Sequence, residues 1–287
     1  MTDGSAKSRK GIGASLAIAA VCLIGTAIWV VTAGANLPGK PKPADRPVMP
    51  ESVLDFTALF STHCAACHGA NGTLGPAPPL NDPLFRAIVP QETLQEVISA
   101  GRSETPMPGF DNLHGGRLTA AQIQVLVFQI KGTKYRIIEP APNANEETKV
   151  VEDAGGIAPL WGAVEPAPLG TPSYLEPAPE APDETSKSGA SRSAVFARAC
   201  AGCHGKNGEG AGAGAINSPQ FLALASNQFL RRNIITGRPD LGMPDYQSAR
   251  KRPADFKPLT SAEIDEIVAL IGEWRNPGSA AETAHEK

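Results

Sequence analysis

Cys64-Ala65-Ala66-Cys67-His68 and Cys200-Ala201-Gly202-Cys203-His204 are two copies of one five-residue pattern, set 136 residues apart. A methionine follows each histidine by 39 residues, at Met107 and Met243. Cysteines three apart, with a histidine four beyond the first, fall on one face of a helical turn. There two thiols can bond the vinyl groups of a porphyrin while the imidazole binds its iron, the pattern of c-type haem attachment. A zinc half-site or a thioredoxin-like redox pair also uses Cys-x-x-Cys, but neither requires the adjacent histidine. Zinc would further need both cysteine pairs on one metal, whereas each pair here has its own His and its own downstream Met. The expectation is two covalently bound haem c groups, one on Cys64, Cys67 and His68 and one on Cys200, Cys203 and His204.

Between the motifs and the methionines the two halves align without a gap. Cys-His-Gly-x-Asn-Gly occurs at 67–72 and 203–208, and Gly-Arg-x-x-x-x-Met-Pro at 101–108 and 237–244. Asn81, Pro83 and Phe85 recur as Asn217, Pro219 and Phe221. Self-similarity at one offset means two domains of one kind. Each is expected to run as helix, haem turn, loop, helix, methionine loop, helix. The first helices carry Phe56, Leu59 and Phe60, and Val195 and Phe196. Middle helices end at Gly101 and Gly237, where glycine serves as the stop. The last helices open on the capping boxes Thr119-Ala120-Ala121-Gln122 and Thr260-Ser261-Ala262-Glu263. They continue as the apolar stripes Ile123, Leu126, Val127, Ile130 and Ile264, Ile267, Val268, Ile271. Roughly 85 residues per domain with 5% aromatics is little from which to build a core, so the haem is expected to supply much of it.

Outside the domains, residues 11–31 form a charge-free run of 21, about 31 Å as a helix and long enough for a bilayer. Lys7, Arg9 and Lys10 precede it, so the positive-inside tendency keeps the N-terminus cytoplasmic and places the remainder across the membrane. A cleaved signal peptide is the rival reading, because Ala33-Gly34-Ala35 resembles a cleavage site. The run exceeds the roughly 7–15 residues of a signal core, which favours a retained anchor. Cys22 lies in this run and reads as an inert packed thiol; bulky Val21 before it argues against a lipoprotein. Residues 139–190 carry two basic and ten acidic groups with repeated Glu-Pro-Ala-Pro, and read as an extended acidic spacer. The expected organisation is 1–36 cytoplasmic N-terminus and anchor, 37–50 Pro-rich tether, 51–138 domain one, 139–190 linker, 191–275 domain two and 276–287 tail. No segment is basic or aromatic enough to suggest nucleic acid.

At the iron, His68 and His204 are expected as proximal ligands, each with its second ring nitrogen held by a backbone carbonyl. Pro79 is the candidate for that carbonyl in domain one, with Ala215 at the matching place in domain two. Met107 and Met243 are expected as distal ligands, and His/Met ligation raises the potential. His114 is a rival ligand in domain one, with an exposed surface role as the alternative; His63 reads as exposed. Arg102 and Arg238 are candidates for haem propionates or for ordinary solvated positions. Arg250, Lys251 and Arg252, in an insertion after Met243, read either as a docking patch for an acidic partner or as a solvated loop.

These residues resemble the class I cytochrome c family, and within it membrane-anchored dihaem proteins with two tandem class I domains. The resemblance covers 51–138 and 191–275. It implies an all-α fold, with an N-terminal transmembrane helix before the tandem domains. It also implies one covalent haem c per domain and single-electron transfer on the periplasmic side of a bacterial inner membrane, in a respiratory or photosynthetic chain. Similar proteins are subunits of quinol-cytochrome c reductases and haem-copper oxidases, or anchored shuttles. The implied partners are a quinol-oxidising complex, a soluble cytochrome or a terminal oxidase. Two strong protein ligands per iron leave no position for substrate, which favours a carrier over a dihaem redox enzyme of the peroxidase or thiosulfate-oxidising type.

Overall fold

A computed structural model describes residues 19–29, 48–103, 105–138, 149–153, 155–179 and 189–275. It divides into two units, Met1–Ser52 and Val53–Lys287. The described part of the first unit is helical over 19–29 and makes a 3-10 turn at Pro50–Ser52. The apolar run 11–31 falls partly outside the described residues, and among those described no helix is long and apolar enough to cross a membrane. Residues 37–47 of the tether and the tail 276–287 also lie outside them.

In the second unit the same set of helices is built twice. Domain one has α1 (Phe56–His63), α2 (Ala65–His68), α3 (Pro83–Ile88), α4 (Gln91–Ala100) and α5 (Ala120–Lys131). After two short strands, β1 (Tyr135–Ile138) and β2 (Lys149–Glu152), domain two has α6 (Gly189–Ala199), α7 (Ala201–His204), α8 (Pro219–Leu224), α9 (Asn227–Thr236) and α10 (Ser261–Glu273). Local chemistry starts these helices. Asp55 accepts from the Ala58 amide at 2.7 Å, and Asp82 from that of Phe85 at 2.7 Å with Pro83 opening the helix. Both expected capping boxes form, at Thr119/Gln122 and Thr260/Glu263. The two expected stripes are buried to 3% exposure or less, from Ile123 to Ile130 on α5 and from Ile264 to Ile271 on α10. They pack against α1 and α4 in domain one and against α6 and α9 in domain two.

Two findings differ from the expectation of an all-α protein with a free spacer. The first is a small antiparallel sheet, β1 with β2, in which Tyr135 faces Glu152 and Ile138 faces Lys149. Tyr135 stacks on Phe128 with ring centroids 6.1 Å apart, and Val150 is buried beside it. Tyr-Arg-Ile-Ile and Lys-Val-Val-Glu have the β-branched and aromatic content that suits a half-buried strand, but four residues each is too short a run to read from sequence.

The second finding is that residues 155–179 are a strap bound to both domains. Proline-rich chain has few amide donors for its own carbonyls, so those carbonyls are available to other donors. Arg86, 3% exposed on α3, gives Nη1 to Trp161 O (2.8 Å), Nη2 to Gly162 O (2.6 Å) and Nε to Ile130 O (2.6 Å). Arg231, fully buried on α9, gives Nη1 to Ser173 O (2.6 Å), pairs with Glu176 (2.6 Å), and pairs with Asp265 of α10 (2.9 Å). Tyr174 lies edge-on to Phe85 of domain one, and the Arg232 guanidinium of domain two sits 4.6 Å from its ring centre. Parts of the expected linker at 139–148 and 180–188 lie outside the described residues.

Trp161 completes the domain-one core. It stands edge-on to Phe56 and Phe60, at 5.2 and 5.1 Å, with its ring against Gly72 of the haem loop. In domain two Trp274, just beyond α10, stands edge-on to Phe196 at 5.3 Å and packs on Gly208 in the same way. A partner of the same chemistry thus comes from the strap in one domain and from the domain's own last helix in the other. Trp161→Ala is expected to destabilise domain one by about 3 kcal/mol, the lower end for a core tryptophan. Thermal unfolding followed at the haem absorption should then show one early transition, while Trp274→Ala should place the early transition in domain two.

Candidate haem sites

The two Cys-x-x-Cys-His turns fold alike. In each, the first cysteine precedes a four-residue helix, and its carbonyl accepts from the second cysteine and from the histidine, at 3.2 and 2.9 Å in domain one and 3.1 and 3.0 Å in domain two. All four cysteines are free thiols. Burial pushes the Cys64 thiol up to about 12, with Cys67 adding to it. Burial does the same at Cys200, also to about 12, against the opposing charge of Arg252. Redox nucleophiles are thiolates with pKa values held down; Cys64 and Cys200 are held up. Among the described residues no three His, Cys, Asp or Glu side chains converge as a metal site.

The histidines are oriented by the loop that follows. His68 Nδ1 donates to the Pro78 carbonyl at 2.8 Å, and His204 Nδ1 to that of Gly214 at 3.2 Å. These acceptors lie one residue before the expected Pro79 and Ala215, and they correspond at the 136-residue offset. The loop turns back by way of Ala77 N to Cys67 O, and Ala213 N to Cys203 O, both 2.9 Å, which brings the earlier carbonyl over the ring. With Nδ1 committed, Nε2 is the nitrogen left to bind iron. Burial lowers the His68 pKa, the Pro78 bond opposes this, and the Arg238 charge adds to the lowering.

Glycine makes the tight return possible. Gly69 has φ +80°, and a Cβ there would lie 1.7 Å from Thr73 O; Gly205 has φ +81°, and the atoms nearest its Cβ would be those of the Glu209 side chain, at 2.6 Å. Asn81 and Asn217 tie the loop by donating to Asn71 O (3.2 Å) and Asn207 O (3.0 Å).

Each methionine lies on a loop hung from the end of the middle helix. Arg102 N donates to Met107 O at 3.0 Å and Arg238 N to Met243 O at 3.1 Å, while Phe110 N and Tyr246 N return to Ser99 O (3.0 Å) and Ile235 O (3.2 Å). Met107 is partly buried against the domain-one core, and Met243 is also partly buried. The rivals are placed elsewhere. His114 is on an exposed turn with Nδ1 bonded to Asp111 at 2.6 Å, and His63 lies edge-on to Phe110. Arg238 is engaged with Asp240 and Gly75 O rather than free for a propionate. In the expected basic patch Arg252 turns inward, giving Nη1 to Asp245 O (2.7 Å) and Ser248 O (2.8 Å) over the Phe256 ring, which leaves Arg250 and Lys251 exposed. Trp161 and Arg86 escape a reading by motif, because neither has a counterpart at the repeat offset.

Two family models match the chain. Residues 51–128 match the model described as cytochrome c oxidase, cbb3-type, subunit III, and residues 192–273 match that described as cytochrome c. No curated protein matches. The chain carries two cytochrome c family domains in tandem. With a haem turn in each, it is a protein of two covalently bound haem c groups. The residues present fit that group: unpaired thiols on one turn, an imidazole with its outer nitrogen left for iron, and a glycine return that a side chain would block. Gly69→Ala is expected to reduce the content from two haems per chain to one, whereas Gly205→Ala, strained at φ +81° but facing a movable side chain rather than backbone, is expected to lose less of the second haem. The haem-to-protein ratio from a pyridine haemochrome assay measures both.

Proposed function

We propose that the chain is a membrane-anchored dihaem electron carrier of a bacterial respiratory chain. In this reading Cys64 and Cys67, and Cys200 and Cys203, form the thioether bonds. His68 with Met107, and His204 with Met243, are the axial ligands. The observation that carries the reading is the repetition of the same histidine and methionine loops in both domains, with His114 held by Asp111. Neither domain is then set apart with a vacant ligand position, as a peroxidase or other dihaem enzyme would require.

The haem supplies a one-electron ferric/ferrous couple. The chain's own residues set its working conditions. Pro78 and Gly214 carbonyls fix the imidazole tautomer, and the Trp161 and Trp274 rings close the loop beside it. The methionine loops, pinned to α4 and α9, hold Met107 and Met243 in place. Methionine ligation favours the ferrous form and a high potential. The oxidase description of the model matching domain one supports a place beside a terminal oxidase, receiving electrons from a quinol-oxidising complex directly or through a soluble cytochrome. The charge-free run 11–31 after Lys7, Arg9 and Lys10 supports a single-pass anchor with the haem domains on the periplasmic side.

The oxidised protein is expected to show the long-wavelength charge-transfer band of methionine-bound haem c, and Met107→Ala and Met243→Ala should each remove about half of it. A band that neither substitution touches would count against the ligand set. Deleting residues 1–36 behind a cleavable export signal should move the haem protein from the membrane to the soluble periplasmic fraction; retention at the membrane would count against the anchor.

A further inference from the structure

One hydrogen bond that differs between the haem loops of the two domains involves the methionine loop of domain two. In domain two the Gly210 amide bonds its own loop, donating to His204 O at 2.7 Å. The matching amide in domain one belongs to Leu74, and it donates instead to Asp240 Oδ2 of domain two at 2.9 Å. Leu74 holds φ +66°, a left-handed conformation costly for a branched residue, where domain two has Gly210 at φ +93°. One residue on, the Gly75 carbonyl accepts from Arg238 Nη2 at 2.8 Å.

Gly75 is itself pressed against the haem turn: a Cβ there would lie 2.1 Å from Cys67 O and 2.6 Å from the His68 carbonyl carbon. Arg238 and Asp240 also pair with each other, Nε to Oδ1 and Nη2 to Oδ2, both at 3.0 Å. Their side chains are 11% and 3% exposed. A fixed, poorly hydrated pair of opposite charges therefore lies one residue from the His68 turn, placed there by the other domain. The Arg238 charge reaches the His68 ring. In a low-dielectric site such charges act strongly on a neighbouring centre.

We propose that Arg238 and Asp240 of domain two are tuning residues for the haem of domain one, so that the potential of the first centre is set in part by the second domain. This rests on the electron-transfer reading above. The couple takes up one electron at iron, with no bond made and no proton carried, so ferrous haem bears one positive charge fewer than ferric. A cation beside it favours the ferrous form and an anion the ferric. In the parent Asp240 offsets Arg238 only in part, because Arg238 is the member of the pair whose charge reaches His68; removing either partner shifts that balance.

The test is a spectroelectrochemical titration of the full-length holoprotein at neutral to mildly alkaline pH. Asp240→Asn is expected to raise one of the two redox steps and Arg238→Gln to lower that same step. Arg238→Lys should stay near the parent, and the double variant R238Q/D240N should return toward it. Leu74→Gly relaxes the loop while leaving both charges, and should leave the step unmoved. Shifts of one sign in both charge variants, no shift in either, or an equal shift in Leu74→Gly would overturn the proposal, because each assigns the contact a mechanical role only. Asp240→Asn is isosteric and still accepts from the Leu74 amide, so it decides alone if Arg238→Gln does not accumulate. Failure of the electron-carrier reading would appear differently, as absence of the methionine band in the parent protein.

Discussion

A buried guanidinium brings five N–H donors out of water, and each must find an acceptor or cost stability. Arg86 and Arg231, one on each domain, impose that requirement on this protein. The segment between the domains answers it, because a proline-rich strand offers carbonyls with few donors of its own. Trp161 O and Gly162 O receive Arg86, while Ser173 O and the Glu176 carboxylate receive Arg231. The acidity of the strap has the same logic, since Glu176 supplies charge where a fully buried arginine needs it. What composition presents as a spacer is held at both ends by the least hydrated cations of the two domains.

The paired haem turns, the capping boxes and the apolar stripes of α5 and α10 were legible because each rests on spacing within a single element. Ile123 and Ile264 are buried for the reason their periodicity implies. Reading failed where a contact joins residues far apart in the chain. The carbonyl over His68 comes from Pro78 rather than Pro79 because the hydrogen bond from Ala77 to Cys67 sets how far the loop turns back. Arg252 was grouped with Arg250 and Lys251 by adjacency, yet its guanidinium lies over the Phe256 ring and donates to backbone carbonyls. Arg238 looked like a candidate for propionate, and only the docking of the domains shows what it binds.

The repeat is also less symmetrical than its motifs. Each haem loop has a tryptophan against its second glycine, but Trp274 follows its own helix and Trp161 comes from the strap. Likewise Lys131 donates to the Arg86 and Val89 carbonyls at the end of α3, a task that Arg275 performs at the matching Leu222 and Ala225 carbonyls of α8. The same vacancies in one loop architecture have been filled by residues from different places in the chain.

That difference gives the polypeptide a direction in time. A chain that emerges from its N-terminus finishes α5 at Lys131, yet Trp161 follows 30 residues later, together with the acceptors that Arg86 needs. Until that stretch has appeared, Arg86 keeps its bond to Ile130 O but lacks the Trp161 and Gly162 acceptors, and a gap lies beside Phe56 and Phe60. Domain two meets no comparable wait, because Trp274 arrives directly behind its last helix. The domain made first is thus the one whose closure is deferred, and its haem turn remains accessible for longer during biogenesis.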